Sequence, residues 1–242
     1  LVSILSSIES RDILFIDEIH RMPTNVEEIL YSAMEHFRVD VIIGQGVGAK
    51  SVNLPISPFT LIGATTKSGL ISAPLRSRFG ITERLDFYED QDLAEIVLQS
   101  AKFLKLDISN VAALLIAKAA RGAPRIAKKI LRRVRDFAQV RNNNIADDKI
   151  VVEALQFLSI DSDGLTKVDN LILKTIIKSF GGGPVGVETL SALVGEDRET
   201  LEDVYEPFLM RKGYLEKSSR GRQIPHKALP YLKNKFYGQQ TV

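Results

Sequence analysis

Residues 13–20 read Ile-Leu-Phe-Ile-Asp-Glu-Ile-His. Four apolar residues followed directly by two carboxylates predict a buried parallel β-strand that carries an acidic pair at its C-terminal end. Ligands of open α/β sheets bind beyond that end, where an Asp can hold Mg²⁺ and a neighbouring Glu can orient or deprotonate an attacking water. The stretch therefore predicts the Walker B half of a nucleotide-hydrolysis site; a surface Asp-Glu pair that opens the next helix is the alternative. We interpret His20 as a polar residue that positions the loop rather than as a catalytic one.

The composition is that of a globular protein. The 242 residues suffice for more than one domain, and 45% hydrophobic with 26% charged residues exclude a disordered chain. No apolar run reaches the roughly 18 residues of a membrane span, and Leu1–Ser10 lacks the charged start of a signal peptide. Cysteine is absent, which excludes disulfides and thiolate metal sites. We therefore expect a cytoplasmic protein without a membrane segment.

The hydrophobic pattern divides the chain into three blocks. Residues 1–88 alternate apolar strands with helices, which predicts a parallel sheet with both faces covered. Residues 89–159 keep helical periodicity and predict a small helical domain. Residues 160–242 begin with a polar linker at about 160–167 and continue as helices and a β-hairpin, the plan of a winged-helix domain. In the first block we predict strands at 12–16, 59–64 and 82–87, helices at about 24–36 and 72–78, and an extended pair around 39–54.

The charge is distributed unevenly, although the net charge is only +2. Eight basic residues and the single acid Asp136 lie between Arg121 and Arg141. Five basic residues and the single acid Glu216 lie between Arg211 and Arg222. Such clusters suit phosphate groups; the alternative is that they are solvated faces of helices and strands.

One glycine-rich stretch imitates a phosphate-binding loop. Gly44–Ser51 reads Gly-Gln-Gly-Val-Gly-Ala-Lys-Ser and differs from the pattern G-x-x-x-x-G-K-[ST] at Ala49. A phosphate loop lies between a strand and a helix and precedes the acidic strand, whereas here apolar Val41–Ile43 leads in and Val52-Asn-Leu-Pro leads out. We interpret the stretch as the tip of a hairpin, so that this sequence contains no usable phosphate loop.

Three further motifs carry polar groups suited to a phosphate. Thr65 and Thr66 follow the apolar strand predicted at 59–64, so their hydroxyls lie where a γ-phosphate or a water would be contacted; a helix N-cap is the alternative. Arg78 closes the run Pro-Leu-Arg-Ser-Arg, and Arg stabilises the charge of a transferring phosphoryl group, often from a neighbouring subunit. Arg125 stands in the first turn of a helix opened by Gly-Ala-Pro. For both arginines a surface role is the alternative.

These motifs occur together and in order in one family. They are Ile-Asp-Glu-Ile-His-Arg (16–21), Gly-Ala-Thr-Thr-Lys-Ser-Gly (63–69), Pro-Leu-Arg-Ser-Arg-Phe-Gly (74–80), Arg-Gly-Ala-Pro-Arg-Ile-Ala (121–127) and Gly-Gly-Gly-Pro-Val-Gly-Val-Glu-Thr-Leu (181–190). Over nearly its whole length the chain resembles the RuvB family, the bacterial AAA+ motors of Holliday-junction branch migration. The last motif and Glu-Asp-Val-Tyr-Glu-Pro-Phe-Leu (202–209) separate it from clamp loaders, which share the first motifs.

The resemblance implies a fold and a set of site residues. Residues 1–88 correspond to the C-terminal half of the AAA+ P-loop NTPase-type sheet domain, 89–159 to its helical lid, and 160–242 to a winged-helix DNA-binding head. The implied catalytic residues are Asp17 of Walker B, which also holds Mg²⁺, the catalytic Glu18, and Arg78, the finger that reaches a neighbouring subunit's ATP. Either Thr65 or Thr66 falls at sensor 1. The implied contacts to ATP are Glu35, His36, Phe37, Arg78, Tyr88 and Arg125, the last at sensor 2.

The resemblance also implies cofactors and partners. ATP and Mg²⁺ are the expected cofactors, and a homohexameric ring on duplex DNA at Holliday junctions, acting with RuvA and RuvC, is the expected assembly. The hairpin near 41–54 corresponds to the one that docks RuvA. In the wing, Lys217 and Arg222 correspond to DNA contacts and Arg220 lies between them, since phosphate contacts supply most sequence-independent affinity.

In one respect the sequence departs from the family. The segment with the adenine contacts, the phosphate loop and the Mg²⁺-binding hydroxyl has no counterpart in it. Without the loop's backbone amides and lysine, nothing in the sequence cradles the β- and γ-phosphates. We therefore expect this chain by itself to hydrolyse no ATP.

Two other classes of protein remain as alternatives. A winged-helix regulator with a degenerate α/β platform would lack the phosphate loop naturally, but it has no physical need for Asp17, Glu18 and Arg78. A clamp-loader-like ATPase would end in a helical collar, and helix across 213–224 would favour it.

Overall fold

The first part of the chain forms a unit of its own around a parallel strand pair. In a computed structural model of the protein, which describes residues 1–43 and 50–238, the chain divides into two compact units, Leu1–Leu85 and Asp86–Val242. The elements of the first unit are α1 (Val2–Ser6), β1 (Ile13–Ile16), α2 (Thr24–His36), β2 (Arg38–Ile43), β3 (Lys50–Pro55), β4 (Thr60–Gly63) and α3 (Ala73–Arg76), with short 3₁₀ turns at Ile19–Arg21 and Ser68–Leu70.

Parallel pairing of β1 with β4 places the predicted site residues at one edge. The register sets Ile13 opposite Thr60 and Ile16 opposite Gly63, so both strands end level. The acidic pair and the two threonines therefore leave the sheet side by side. One face of the pair packs on a small hydrophobic core. There Leu14 of β1 and Leu61 of β4 contact a cluster that includes the fully buried Leu5 of α1 and Leu30 of α2.

Two sequence predictions for this unit are wrong. Within the described residues, one face of the strand pair is uncovered. The side chains of β1 point alternately to the two faces, and Ile13 and Phe15, on the uncovered face, are 65% and 58% exposed. No strand forms at 82–87 within the described residues; the backbone there is irregular and Leu85 is 96% exposed. A strand exists only through hydrogen bonds to a neighbouring strand, and no described strand pairs with this segment.

The extended pair predicted around 39–54 is present as two antiparallel strands. β2 pairs with β3 from Arg38 opposite Pro55 to Ile43 opposite Lys50. Asn53 also donates a side-chain hydrogen bond to Asp40 across the ladder, at 2.8 Å. Residues 44–49 lie outside the described residues, so the interpretation of the Gly44–Ser51 stretch as a hairpin tip stays a prediction.

The second unit begins with a helical bundle. Ser109 and Asp147 cap two of its helices by accepting hydrogen bonds from the backbone N–H groups of Ala112 and Ile150. Pro124 opens the long helix, as predicted. A two-residue parallel pair, which the helical pattern did not predict, ties the loops together. The elements are α4 (Asp90–Phe103), β5 (Asp107–Ile108), α5 (Asn110–Ala119), α6 (Pro124–Arg141), β6 (Ile145–Ala146) and α7 (Asp148–Phe157).

The same unit continues into a winged helix with a hydrophobic core of its own. That core includes the fully buried Leu173 and Ile176, while the bundle's core includes Leu131 and Ile116. The elements are α8 (Lys167–Phe180), α9 (Val187–Val194), α10 (Arg198–Thr200), a π-helical turn (Leu201–Tyr205), α11 (Glu206–Arg211), β7 (Glu216–Ser218), β8 (Gly221–Gln223) and α12 (Leu229–Tyr237). Strands instead of helix across 213–224 exclude the clamp-loader alternative.

The helices of the described part of the chain are too short or too polar for a membrane span. None of them combines the length and the apolarity that crossing a membrane requires.

Candidate nucleotide site and wing hairpin

The acidic pair and the two threonines form one hydrogen-bonded cluster. The Glu18 carboxylate accepts a hydrogen bond from the backbone N–H of Thr66 at 3.1 Å and from the Thr66 hydroxyl at 3.1–3.2 Å. Ile19 N–H donates to the Ala64 carbonyl at 3.0 Å, which fixes the two strand ends against each other. The sequence prediction that 17–18 and 65–66 meet beyond the sheet edge is therefore supported by the geometry.

Glu18 is held in a defined conformation with its carboxylate charged. Its backbone is left-handed, with φ 49°, and its N–H donates to the Asp17 carboxylate at 3.1 Å. The backbone hydrogen bond from Thr66, then the Thr66 hydroxyl and the nearby His20 and Arg21, lower the pKa of Glu18 against the opposing effect of desolvation. Asp17 is exposed at the strand end. One carboxylate thus faces solvent, and the other is oriented by the neighbouring strand.

His20 links the two halves of this cluster. Its Nδ1 lies 2.8 Å from the Thr65 hydroxyl and 3.2 Å from the Glu18 carboxylate, and its side chain is only 6% exposed. The Thr65 hydroxyl also accepts a hydrogen bond from Lys67 N–H at 3.0 Å. These contacts fit the interpretation of His20 as a residue that positions the loop.

The lowered pKa of Glu18 predicts a specific titration. The variant Thr66→Val loses the hydroxyl donor but keeps the backbone N–H, whose hydrogen bond lowers the pKa of Glu18 more. We therefore expect this pKa to rise part of the way to its ordinary value. Because the folded pKa is lowered, the stabilisation from these bonds is present above the unfolded pKa and is lost as pH falls through the folded one. A side-chain carboxyl NMR titration measures this. The control Thr60→Val, an equivalent change on β4, should leave the pKa of Glu18 unchanged. If Thr66→Val also left this pKa unchanged, the Thr66 hydroxyl would not be a donor to Glu18.

Arg78 and Glu35, two predicted contacts to ATP, lie against each other. Arg78 Nε forms an ion pair with the Glu35 carboxylate at 2.9 Å, its Nη1 donates to the Pro74 carbonyl at 2.7 Å, and its guanidinium lies 4.4 Å from the centre of the Tyr31 ring. His36 is exposed beside Glu35, and Phe37 ends the helix in a left-handed conformation. The guanidinium is thus held in place by its own chain.

Tyr31 itself is anchored by a buried cluster that the sequence did not reveal. Its hydroxyl donates to the Glu27 carboxylate at 2.8 Å, and Ser72 donates to the same carboxylate at 2.7 Å. Glu27 is only 7% exposed. An acid buried on a helix face gives no signal in a hydrophobic pattern, because a partner such as Ser72 is more than forty residues away along the chain.

Tyr88 and Arg125 both belong to the second unit. Tyr88 N–H donates to the Gly122 carbonyl at 2.9 Å, and Gly122 begins the turn that leads into the first helical turn with Arg125. Both side chains are exposed. The backbone at Tyr88 is thus tied to the turn that leads into the helix with Arg125.

Of the three predicted DNA contacts in the wing hairpin, Lys217 and Arg220 are exposed and Arg222 is mostly buried. Arg220 is exposed at the turn between β7 and β8. Arg222 is 12% exposed and contacts Glu206 through Nε at 2.7 Å and Glu202 through Nη2 at 2.5 Å. Lys217 also pairs with Glu206, at 2.6 Å, and Glu206 is 1% exposed. Burial lowers the pKa of Arg222, but the hydrogen bonds and charges of the two glutamates outweigh this and raise it.

These elements define a class of protein. A parallel strand pair that ends in an acid pair and two threonines, followed along the chain by a helical lid and a winged helix, is the fold of an AAA+ P-loop NTPase with a DNA-binding type of head. Family models match the chain in the same order: "Holliday junction DNA helicase RuvB P-loop domain" over residues 1–85, "RuvB AAA lid domain" over 88–161, and "RuvB C-terminal winged helix domain" over 162–233.

Individual relatives agree with the family models. The Holliday junction branch migration complex subunit RuvB of Streptococcus pneumoniae (strain CGSP14) is 51% identical over 232 residues, which are 96% of this chain and 70% of that protein. That of Enterococcus faecalis (strain ATCC 700802 / V583) is 53% identical over 222 residues, 92% of this chain and 66% of the relative. A solved structure, the Thermotoga maritima RuvB Holliday junction branch migration motor, is 46% identical with a TM-score of 0.81, covering 96% of this chain and 73% of that one. The chain belongs to the RuvB family.

Proposed function

We propose that this chain is part of an ATP-driven motor that moves duplex DNA during Holliday-junction branch migration in recombination and DNA repair. The observation that carries the proposal is the cluster of Glu18, Thr66 and His20 beyond the ends of β1 and β4, in a chain that also has a winged helix with a basic hairpin. The names of the relatives state branch migration for those proteins. A bacterium's chromosome lies in the cytoplasm, and we place the protein there.

The nucleotide chemistry divides among residues of this chain and of a neighbouring copy. Glu18, held as a carboxylate by Thr66, orients and deprotonates the attacking water, and Thr65 and Thr66 sense the γ-phosphate. Arg78 completes the site of the next subunit, for which it must leave its ion pair with Glu35. The remaining proposed contacts to ATP are Glu35, His36, Phe37, Tyr88 and Arg125.

Mg²⁺ fits the residues that are present. In the described ranges 1–43 and 50–238, no group of three or more His, Cys, Asp or Glu side chains is arranged as a metal cage. Mg²⁺ needs no such cage, since it commonly binds one or two carboxylates together with phosphate oxygens and waters. The exposed Asp17 carboxylate at the strand end is suited to that arrangement, and bound Mg²⁺ would neutralise phosphate charge there.

We further propose a division into three domains. Residues 1–88 form the C-terminal half of the large ATPase domain, 89–159 the lid, and 160–242 the winged-helix head. The separate hydrophobic cores of the bundle and the winged helix support the second boundary. In the assembly that we propose, a homohexamer works with RuvA, bound through the hairpin near 41–54, and with RuvC.

The 242-residue chain by itself should hydrolyse no ATP. Its sequence contains no G-x-x-x-x-G-K-[ST] run, so no loop of backbone amides with a lysine can cradle the β- and γ-phosphates. We expect phosphate release from the purified chain to equal that of its Glu18→Gln variant. Both should stay at background. Release above background that disappears in Glu18→Gln would refute the prediction, whereas equal release above background in both would come from a contaminating ATPase.

DNA binding by the wing tests the motor proposal. A motor must pass every sequence, so we expect weak binding to a fluorescent duplex of scrambled sequence that falls steeply with salt. Arg220→Ala removes an exposed phosphate contact and should reduce the slope of log affinity against log salt by about 1. Arg198→Ala, an exposed Arg of the same domain that pairs with Glu188 and Glu202, is the control.

The same measurement separates the motor from a winged-helix regulator. Strong preference for one sequence, or binding unchanged in Arg220→Ala, would favour the regulator and remove the proposed role of the hairpin.

A further inference from the structure

A buried ion pair joins the lid to the winged helix. Asp169, in the first turn of α8, is 0% exposed and accepts hydrogen bonds from the Thr166 backbone N–H at 2.7 Å and hydroxyl at 2.6 Å. The charge that neutralises it comes from the lid, because the guanidinium of Arg121, 12% exposed, contacts its Oδ2. Losing one member of a buried ion pair leaves an uncompensated charge in the interior, so such a contact holds its two elements firmly together.

Alternating cations and aromatic rings extend this contact. The Arg121 guanidinium lies 4.4 Å from the centre of the Phe208 ring, which is 4% exposed on α11. Arg211, on the same helix, lies 5.8 Å from that ring and 4.4 Å from the ring of Phe87, which precedes the lid. The contact between Arg121 and the buried Phe208 ring joins the lid to the head, and its partial desolvation strengthens it. The contacts of Arg211 link α11 to Phe87, just before the lid.

Two glycines allow close packing around this contact. Gly122 has φ +76°, and a Cβ there would lie 2.7 Å from Phe87 Cβ and would overlap the Arg211 guanidinium. Gly164 has φ +79°, and a Cβ there would lie 3.0 Å from the Lys118 carbonyl oxygen of α5. Glycine is required at both positions, because the left-handed backbone and the missing side chain permit this packing.

The connection between the two domains, predicted as a polar linker at about 160–167, is folded. The Asp161 carboxylate accepts hydrogen bonds from the N–H groups of Asp163 and Leu165 and from the Asn170 amide, at 2.9–3.0 Å. Lys235 of α12 bridges Asp161 and Asp163, and Leu165 is fully buried. These bonds fold the segment onto the winged helix, so it is not a freely moving linker.

We propose that the lid and the winged helix form one rigid lever, locked by Arg121 and Asp169, which carries the proposed nucleotide contact Arg125 in the lid and the hairpin in the head. Arg121 lies four residues before Arg125, at the start of the turn into α6. A displacement of Arg125 is therefore carried into the winged helix without a hinge between them. The lever's use in coupling nucleotide to DNA rests on the proposed function, but its rigidity does not.

The absence of cysteine allows a direct test in the full chain. Spin labels at Gln99→Cys on α4 and Ser219→Cys in the hairpin turn, both exposed, report the distance between lid and wing by pulsed electron resonance. We expect one narrow distance distribution in the otherwise unchanged chain. Asp169→Asn keeps the size of the side chain but removes the ion pair, and should broaden the distribution. Asp136→Asn, the same change at a half-exposed ion pair on α6, should leave it narrow.

A second variant and a second readout keep the outcomes distinct. Arg121→Gln combined with Asp169→Asn removes both charges and should also broaden the distribution, while circular dichroism well below the melting temperature shows that both domains remain folded. A role in stability alone would lower the melting temperature and leave the distribution narrow. That outcome, or a broad distribution in the unchanged chain, would overturn the lever. Salt-dependent DNA binding of the same samples reports on the proposed function separately, so loss of DNA binding with a narrow distribution counts against the function and not against the lever.

Discussion

Replacing Gly221 with alanine is expected to destabilise the winged helix by about 3–4 kcal/mol and to displace its hairpin. Gly221 has φ +131°, and a Cβ there would lie 2.6 Å from the Val185 carbonyl carbon and closer still to its oxygen. The left-handed backbone costs an L-residue about 1–2 kcal/mol. Displacing Val185 also breaks the two backbone hydrogen bonds that it shares with Arg222, each worth about 1 kcal/mol.

The chain offers a matched control for this substitution. Gly213 has φ +69°, and a methyl group added there would meet no other atom within 4 Å, so Gly213→Ala carries only the backbone cost of about 1–2 kcal/mol. Urea unfolding followed by circular dichroism measures both free energies. Equal losses in the two variants would show that the contact between Gly221 and Val185 does not hold the hairpin.

Arg222→Ala is expected to destabilise the same domain by about 3 kcal/mol, because it leaves the buried Glu206 carboxylate with Lys217 alone. Glu202 would lose a partner as well, although it keeps its contact with Arg198 at 3.1 Å. The pKa of Glu202 is lowered by hydrogen bonds from Arg198 and Arg222, so it should rise toward its ordinary value in the variant. Thermal unfolding gives the stability, and a carboxyl titration gives the pKa.

Two control variants separate this effect from DNA contact. Lys217 is 42% exposed, so Lys217→Ala should cost at most about 1 kcal/mol, and Arg220→Ala should leave stability nearly unchanged. If Arg222→Ala proved as stable as Arg220→Ala while losing DNA affinity, Arg222 would be a phosphate contact and not an anchor of the hairpin. If it lost both, the loss of binding would follow from the loss of the wing's structure.

Patterns among residues close together in sequence were sufficient to predict several strands and the residues at their ends. The apolar run into Asp17 and Glu18 predicted β1, and the apolar run before Thr65 and Thr66 predicted β4; parallel pairing then brings both ends to one edge. The hairpin at Glu216–Gln223 followed from a turn between two short extended runs. These predictions required only residues close together in sequence, or a general rule of parallel sheets.

Errors arose where structure depends on a distant partner. The segment 82–87 has strand-like residues, but hydrogen bonding to a neighbouring strand decides whether it becomes one. The family resemblance implies that Arg222 contacts DNA, and that role stays a prediction. Its ion pairs with Glu202 and Glu206, which come from another part of the domain, could not be read from the sequence. Charge is visible in a sequence, but burial and pairing are not.

The sequence by itself determined the class of fold, the order of the domains and the chemistry of the acidic edge, because periodicity, turn residues and short motifs are local properties of the chain. Only the tertiary structure decided which charged side chains pair with one another. Arg78 lies against Glu35, Arg222 against Glu206, and Arg121 against the buried Asp169 of the next domain. Each pair joins residues far apart in sequence, and the free energy of an ion depends on the solvent and the counter-charge that folding leaves around it.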